Sequence, residues 1–487
     1  MLSKPLRFGP YHRRAYEEGR VAAPRVWAYN QFRFCCRPLS PLDIRPVMYL
    51  IYSVLFSLGV ILAAPYYLWR LRGRIISGAG WRERFGYLPG SFRQGEPSAI
   101  WIHAVSVGET LAVVALARQI QRRFPEREIF LSHVTPAGRE AGEARLPGLA
   151  GRFYLPLDWR CCARRAVNHV RPALLLIVET ELWPNLLRAA DESGTRIVLV
   201  NARLSDRSFR RYRLVRPFMR RVLENVDQIC AQSPTDAERF VALGARPERV
   251  TASGNLKFDA VPPRAGEFTD VLGKALRRAH RGPVIVAAST MPNEEALLLP
   301  VWTQIRRRHP QALLILAPRH PNRFETVAQF LAQEGHSLVR RTSLETEDGK
   351  LAAQIASPGV LLLDTIGELA GIFKLADVVF MGGSLVPTGG HNVLEPAFWA
   401  KAIVFGPHMH NFRDIAQLFL EARAAVQVAD AEGLSRAVLE LLGDDARRVQ
   451  LGAAAKRVLE QESGATRRVL EYIAAFLDAG VQTRAKG

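Results

Sequence analysis

Short apolar runs rich in Ile, Val and Leu alternate along most of this chain with stretches of helical period. That is the pattern of strand and helix units that feed parallel sheets. Runs at residues 99–105, 129–132, 173–178 and 196–200 predict strands in the first half, with a helix over residues 111–124. The pattern breaks around Pro262-Pro263-Arg264-Ala265-Gly266 and restarts with strands predicted at 284–288, 312–317, 359–363, 378–380 and 402–405. Two doubly wound α/β domains joined near residues 258–266 fit this order, with no internal repeat and no low-complexity tract.

One run departs from the alternation. From Pro46 to Trp69 there are 24 consecutive residues without Asp, Glu, Lys, Arg or His, flanked by Arg45 and by Arg70, Arg72 and Arg74. At about 1.5 Å of rise per residue the run is long enough to cross a hydrocarbon core of about 30 Å. Tyr49, Tyr52, Tyr66, Tyr67 and Trp69 stand near its ends, where amphipathic rings prefer the headgroup layer. A membrane anchor is therefore expected over residues 46–69. A signal peptide fits less well, because no small-residue cleavage site follows and Pro65 leads straight into Tyr66-Tyr67-Leu68-Trp69-Arg70. Residues 1–45 carry nine basic and three acidic side chains and no sustained period. Met48 lies just inside the apolar run, so translation is expected to begin there, leaving the upstream segment as a mis-assigned start. Arg70, Arg72, Arg74, Arg82 and Arg84 then place the downstream chain in the cytoplasm. The expected plan is a basic extension at 1–45, the anchor at 46–69, a first domain at 70–257, a linker at 258–266 and a second domain at 267–487.

Composition sharpens the choice of partners. The 487 residues include 66 Lys and Arg against 46 Asp and Glu, a net charge of +20, which implies polyanionic company. Arg203, Arg207, Arg210, Arg211, Arg213, Arg216, Arg220 and Arg221 fall within 19 residues, opposed only by Asp206. Guanidinium forks suit phosphate, and a solvated helix face is the plain alternative. Nucleic acid is a poor fit, since aromatics are not interleaved for base stacking and no recognition module is visible. The five cysteines include two adjacent pairs and no C-x-x-C, so neither a disulfide framework nor a zinc site is supported.

In open parallel sheets ligands gather at the carboxyl ends of strands, so residues just after each apolar run come first. Glu109 follows the first strand at the start of a helix, where the dipole favours the carboxylate that a general base requires. An ordinary first-turn charge is the alternative. Glu179 and Glu181 follow the third strand and precede Pro184, a helix-start signal; they could orient a cation or a sugar, or cap the helix. An E-x-E triplet could hold Mg²⁺, although the D-x-D of metal-dependent glycosyl transfer is absent. The run from Met381 to Pro396 holds two Gly-Gly pairs that let backbone approach a ligand, then a helix expected near Asn392 whose N–H groups face an anion. Glu395 could accept from ribose hydroxyls; a glycine-rich connector is the alternative. Neither G-x-G-x-x-G nor a phosphate loop is present, which disfavours dinucleotide oxidoreduction and phosphoryl transfer.

Taken together these stretches resemble the 3-deoxy-D-manno-octulosonic acid (Kdo) transferases of Gram-negative bacteria. The likeness runs over roughly residues 48–475. It is carried by Arg82-Glu83-Arg84-Phe85-Gly86, His103-Ala104-Val105-Ser106-Val107-Gly108-Glu109, Glu179-Thr180-Glu181-Leu182-Trp183-Pro184-Asn185, Asn201-Ala202-Arg203-Leu204-Ser205 and Gly254-Asn255-Leu256-Lys257-Phe258-Asp259. In the second half it continues through Pro318-Arg319-His320-Pro321, Gly367-Glu368-Leu369, the glycine-rich run and Gly406-Pro407-His408. The resemblance implies a GT-B fold, two Rossmann-like domains facing across a cleft behind an N-terminal membrane-anchor helix. It implies an inverting enzyme on the cytoplasmic face of the inner membrane that moves Kdo from CMP-Kdo to a lipid A precursor of the lipid IVA type, without a cofactor or bound metal. By resemblance Glu109 is the general base, and Glu179 and Lys257 stabilise the transition state. Pro318, Arg319, Gly367, Glu368, Leu369, Asn392, Val393, Leu394 and Glu395 resemble the CMP site, which lies on the second domain.

Two stretches depart from the family pattern. After Ser289-Thr290 the usual His-x-Gly-Glu-Glu reads Met291-Pro292-Asn293-Glu294-Glu295, and the usual small-Gly-Lys-Pro turn reads Trp399-Ala400-Lys401-Ala402. Rival readings are another GT-B enzyme using a UDP-sugar, and a non-enzymatic membrane-tethered polyanion-binding protein.

Overall fold

The computed structural model describes residues 45–70, 78–93, 95–260, 264–345 and 348–484. The extension at 1–44, Arg72, Arg74 and linker residues 261–263 lie outside the described residues, as do the side chains of Tyr66, Tyr67, Trp69 and Arg70. Val47–Gly487 forms one compact unit.

That unit is built on two sheets of seven strands each among the described residues, every pairing parallel. The first contains β1 (Ala99–His103), β2 (Ile129–His133), β3 (Gly151–Tyr154), β4 (Pro172–Val178), β5 (Arg196–Ala202), β6 (Gln228–Ala231) and β7 (Val250–Ala252), in spatial order 3-2-1-4-5-6-7. The second contains β8 (Val284–Thr290), β9 (Leu313–Pro318), β10 (Leu338–Arg340), β11 (Val360–Leu362), β12 (Val378–Met381), β13 (Ala402–Phe405) and β14 (Val426–Gln427), in order 10-11-9-8-12-13-14. Each sheet is covered by helices on both faces, so side chains alternate between two apolar layers. Trp101, Leu175 and Ile177 enter one layer, while Ile100, Ile102, Leu174 and Leu176 enter the other. Double burial explains why the central strands read as unbroken apolar runs. The strands that periodicity missed, β3, β6, β7, β10 and β14, lie at or next to sheet edges and are two to four residues long.

Two boundaries differ from the sequence reading in ways that matter for the site. The helix after β1 spans Val107–Arg123 rather than starting at Leu111, so Glu109 is inside its first turn. The helix expected near Asn392 is Leu394–Phe398, only five residues long.

The last helix, Ala465–Arg484, leaves the second sheet and packs on the first: Ala465, Val469, Ile473 and Leu477 join Ile100, Leu174 and Val198 in one core layer. Sequence order groups it with the domain it follows; burial of its apolar stripe decides otherwise. At roughly 1.5–3 kcal/mol per fully buried large aliphatic side chain, that stripe ties the chain's end to the first domain. Its start is held beside the linker, where Asp259 accepts from the N–H of Gly464 (2.6 Å) and of Thr466.

The helix Arg45–Arg70 contains the stretch Pro46–Pro65, the one segment among the described residues long and apolar enough, by length and composition, to cross a membrane. It packs on the first domain through Tyr49, Tyr52 and Phe56, against Phe218 and Trp159.

Candidate active site

In each sheet the strand order reverses between two central strands, β1 and β4 in the first and β8 and β12 in the second. Crevices open beyond the carboxyl ends at such switch points. Glu109 and Glu179 follow the first pair, and Glu294 and Gly383 follow the second.

Glu109 is held by the turn that starts its helix. Ser106 is the N-cap; its Oγ accepts from the Glu109 N–H (3.4 Å) and donates to Glu109 Oε1 (2.9 Å), while the Val105 N–H donates to Oε2 (2.8 Å). This is a capping box in which the carboxylate reaches one residue further back than usual. Glu109 is only 9% exposed. Burial pushes its pKa up to about 7; the Val105 N–H opposes the rise, and the charges of Glu179 and Glu181 add to it. The helix dipole alone had suggested a readily ionised carboxylate, so desolvation outweighs it here.

Glu179 leaves β4 with a left-handed φ of 59°, uncommon outside Gly and Asn, and its N–H bonds the carbonyl of Val200 at 2.9 Å. Its Oε1 lies 3.2 Å from Lys257 Nζ. Burial, then the neighbouring Glu179 charge, raises the pKa of Glu181. Lys257 sits on the turn Leu256–Asp259, which is fixed from below. Asn201 Oδ1 accepts from the Leu256 N–H (2.9 Å), Asn255 Oδ1 from the Lys257 N–H (3.0 Å), and Gln232 bridges Asn201 to Asn255. Glu109, Glu179, Glu181 and Lys257, some 150 residues apart in sequence, are thus brought to one end of the first sheet.

The second domain supplies the facing wall. Lys257 Nζ lies 5.9 Å from the ring centre of Phe412, and Arg203 pairs with Asp414 at 3.1 Å, so the two domains touch across the cleft. Arg319 directly follows β9 and its N–H bonds the Thr290 carbonyl (3.0 Å). Burial raises the pKa of Glu395; Asn392, then the charges of Arg145 and Arg319, counter it. Arg145 ends the helix Pro136–Arg145 of the first domain, so a cation from the opposite wall acts on Glu395, a contribution that periodicity gave no reason to pick out.

Other residues singled out from sequence are placed differently. Glu368 is committed to Arg341 through three contacts of 2.9–3.2 Å. Val393 and Leu394 point into the core, Pro318 ends β9 and Leu369 opens a short helix, so what Val393 and Leu394 present to the crevice is backbone. Asn392 turns its Oδ1 onto the Leu394 N–H (3.2 Å) rather than leaving a helix N-terminus open. His391, which sequence reading passed over, has its pKa pushed down to about 4 by burial and by Arg319 and His320. A Cβ at Gly383, whose φ is 67°, would stand 3.0 Å from His391 Nε2, so this turn requires glycine.

The segment after Thr290 has a clear task. Fully buried Glu294 accepts from the N–H groups of Gly383 (2.6 Å), Ser384 (3.1 Å) and Leu385 (3.1 Å), as well as Met291 (3.1 Å). Glu295 accepts from Thr290 Oγ1 and Arg323, each at 2.6 Å. The altered residues Met291, Pro292 and Asn293 therefore leave both carboxylates in place, Glu294 on the glycine-rich run and Glu295 on Thr290 and Arg323. Glu294→Ala strands the buried N–H groups of Gly383 and Ser384, at about 1–3 kcal/mol each, and the part-buried one of Leu385, so a stability loss of about 2 kcal/mol or more is expected in thermal or urea unfolding. An unchanged Tm would mean the run is held by something else.

Among the described residues no group of three or more His, Cys, Asp or Glu is placed to hold a metal ion.

Two doubly wound domains, a carboxylate and a lysine–carboxylate pair on one wall and arginine with a half-buried glutamate on the other, define a GT-B glycosyltransferase. The comparisons give the family. A family model described as 3-deoxy-D-manno-octulosonic-acid transferase (kdotransferase) matches residues 79–260. The 3-deoxy-D-manno-octulosonic acid transferase of Haemophilus influenzae is 34% identical over 404 residues, covering 82% of this chain and 92% of that protein. Its counterpart in Bordetella pertussis is 34% identical over 429 residues, covering 85% and 97%. A solved structure of Anabaena HepE in complex with UDP shares the fold, with a TM-score of 0.52 at 12% identity over 77% of this chain and 100% of that one. The chain belongs to the Kdo transferase family.

Proposed function

We propose that this enzyme transfers Kdo from CMP-Kdo to a lipid A precursor of the lipid IVA type, with inversion, at the cytoplasmic face of the inner membrane and without a resident metal. The observation that carries the reading is the buried, raised-pKa Glu109 set beside the Glu179–Lys257 pair at the first switch point.

An acceptor hydroxyl attacks the anomeric carbon of Kdo as the bond from that carbon to the CMP phosphate oxygen breaks. Glu109 Oε takes the hydroxyl proton, and CMP leaves with the electron pair. A carboxylate with a pKa near 7 is basic enough to accept that proton and acidic enough to release it afterwards. Lys257, aligned by Glu179, offsets negative charge on the departing phosphate or the Kdo carboxylate. Arg319 serves the phosphate and Glu395 the ribose hydroxyls. The arginines between Arg203 and Arg221 and the apolar helix Arg45–Arg70 keep the enzyme at an anionic membrane that carries its acceptor.

Purified enzyme given CMP-Kdo and the lipid A precursor is expected to yield an acceptor heavier by one or more Kdo residues, with release of CMP. UDP-sugars are expected to be inert. Turnover of a UDP-sugar, or no product from CMP-Kdo, would defeat the proposal.

A further inference from the structure

Resting on the membrane reading above, we propose that the helix Arg45–Arg70 lies in the plane of the membrane surface instead of crossing the bilayer. The corner Leu214-Val215 and the arginines around it complete the same lipid-facing surface.

The helix has two unlike faces. Tyr49, Tyr52, Ser53, Phe56, Ser57 and Val60 are buried or half-buried against the first domain, at spacings of three and four, and the stripe continues to Ala64. At about 1.5 Å per residue, about 22 Å of helix runs along the protein. The seam is polar as well as aromatic. The Tyr52 hydroxyl donates to Asp158 (2.8 Å), Asn185 Nδ2 donates to Ser53 Oγ (3.1 Å), Trp159 Nε1 donates to Ser57 Oγ (2.8 Å), and Asn225 Nδ2 donates to the Tyr49 hydroxyl (3.0 Å). Asp158 also caps the helix Pro184–Glu192 that follows Glu181, accepting from the N–H groups of Asn185 (3.0 Å) and Leu186 (2.8 Å), while Asn185 Nδ2 donates to the Asp158 carbonyl (2.7 Å). Crossing a bilayer would either strip the helix from these partners or carry a carboxylate and an amide into hydrocarbon, where each is costly.

The opposite face is purely aliphatic: Leu50, Ile51, Val54, Leu55, Leu58 and Leu62 are 50–79% exposed. With one face held along its length by the protein and an aliphatic face left outward, the helix can enter the headgroup and acyl boundary only lying along it. The occupant is an anionic lipid leaflet, and charge complementarity selects it. Phe218, which packs on Tyr49 and Tyr52, belongs to the helix Arg216–Glu224; the turn before it leaves Leu214 84% exposed. Arg211, Arg213, Arg216 and Arg220 around that corner are exposed.

The test places a nitroxide-bearing non-natural side chain at Leu50, Val54, Leu58 or Leu62, one per sample, in the full chain. Immersion is read from oxygen and nickel-chelate relaxation on vesicles of phosphatidylethanolamine with phosphatidylglycerol. The four positions are expected within one shallow band, about 5–10 Å below the headgroups, with Val54 and Leu58 at least as deep as Leu50 and Leu62. A depth that advances residue by residue through the bilayer centre would overturn the in-plane helix, and failure to bind vesicles at all would overturn the membrane reading beneath it. Arg213→Gln with Arg216→Gln is expected to weaken binding to the anionic vesicles by about fivefold per arginine, and not to phosphatidylcholine vesicles. Equal affinity of this variant for the anionic vesicles would remove the corner from the surface.

Discussion

Glu109→Gln is expected to lower kcat by about 10²–10⁴-fold, the usual contribution of a positioned general base, while CMP-Kdo binding persists. The amide keeps the shape of the carboxylate and can still accept from the Val105 N–H and face Ser106, so the turn at Ser106 should hold. What it cannot do is accept the acceptor's proton. The pH dependence makes the assignment specific. The reaction needs the carboxylate, burial raises its pKa to about 7, and so wild-type kcat is expected to climb about tenfold per pH unit below 7 and level off above it. The residual rate of the variant should lack this limb. Folding carries the matching sign. A folded-state pKa raised above that of the unfolded chain makes wild-type stability fall as pH rises from about 4.5 to about 7, because the unfolded state gives up its proton first. Glu109→Gln removes that loss, so unfolding measured above pH 7 should show a variant at least as stable as the parent. An inactive but unstable variant, or a limb that survives the substitution, would reject Glu109 as the base.

Lys257→Ala is expected to cost about 10²–10³-fold in kcat, the range seen when one preorganised stabiliser of transition-state charge is removed. Its partner adds a signature that mere misplacement would not produce. The Glu179 charge already raises the pKa of Glu109, and Lys257 lies 3.2 Å from that charge. Removing the lysine leaves Glu179 without its counterion, so the rising limb should move to higher pH. Glu179→Gln should move it to lower pH, since one negative neighbour of Glu109 is gone. Single-turnover pH profiles of the three proteins check this, and the idea fails if Lys257→Ala keeps wild-type kcat or if neither limb moves.

Much of the architecture could be read from residue order because both sheets are buried on both faces, which writes central strands such as β4 and β8 as continuous Ile, Val and Leu runs. Edge strands such as β10 and β14 carry no such signal: few residues pair, and one side meets solvent or loop. Glu109 and Glu179 were identifiable for a related reason, since each stands just after a strand, whereas Lys257 was reached only through the resemblance of its motif to the Kdo transferases. Their grouping was not, because β1 and β4 become neighbours only through the order 3-2-1-4-5-6-7. Glu294 shows the same limit: its neighbours in sequence depart from the family pattern, yet its partners lie about 90 residues away in the glycine-rich run.

By itself, then, the order of residues determined the two-domain α/β class, the apolar segment at Pro46–Pro65 and the identity of the candidate carboxylates and lysine, because these rest on local period, composition and short motifs. Only the tertiary structure decided the protonation behaviour of Glu109, the commitment of Glu368 to Arg341, the return of the last helix to the first domain and the division of the apolar helix into a docked and an outward face. Each of these depends on which distant groups remove water from a side chain, and desolvation is a property of the packed neighbourhood that no stretch of chain contains alone.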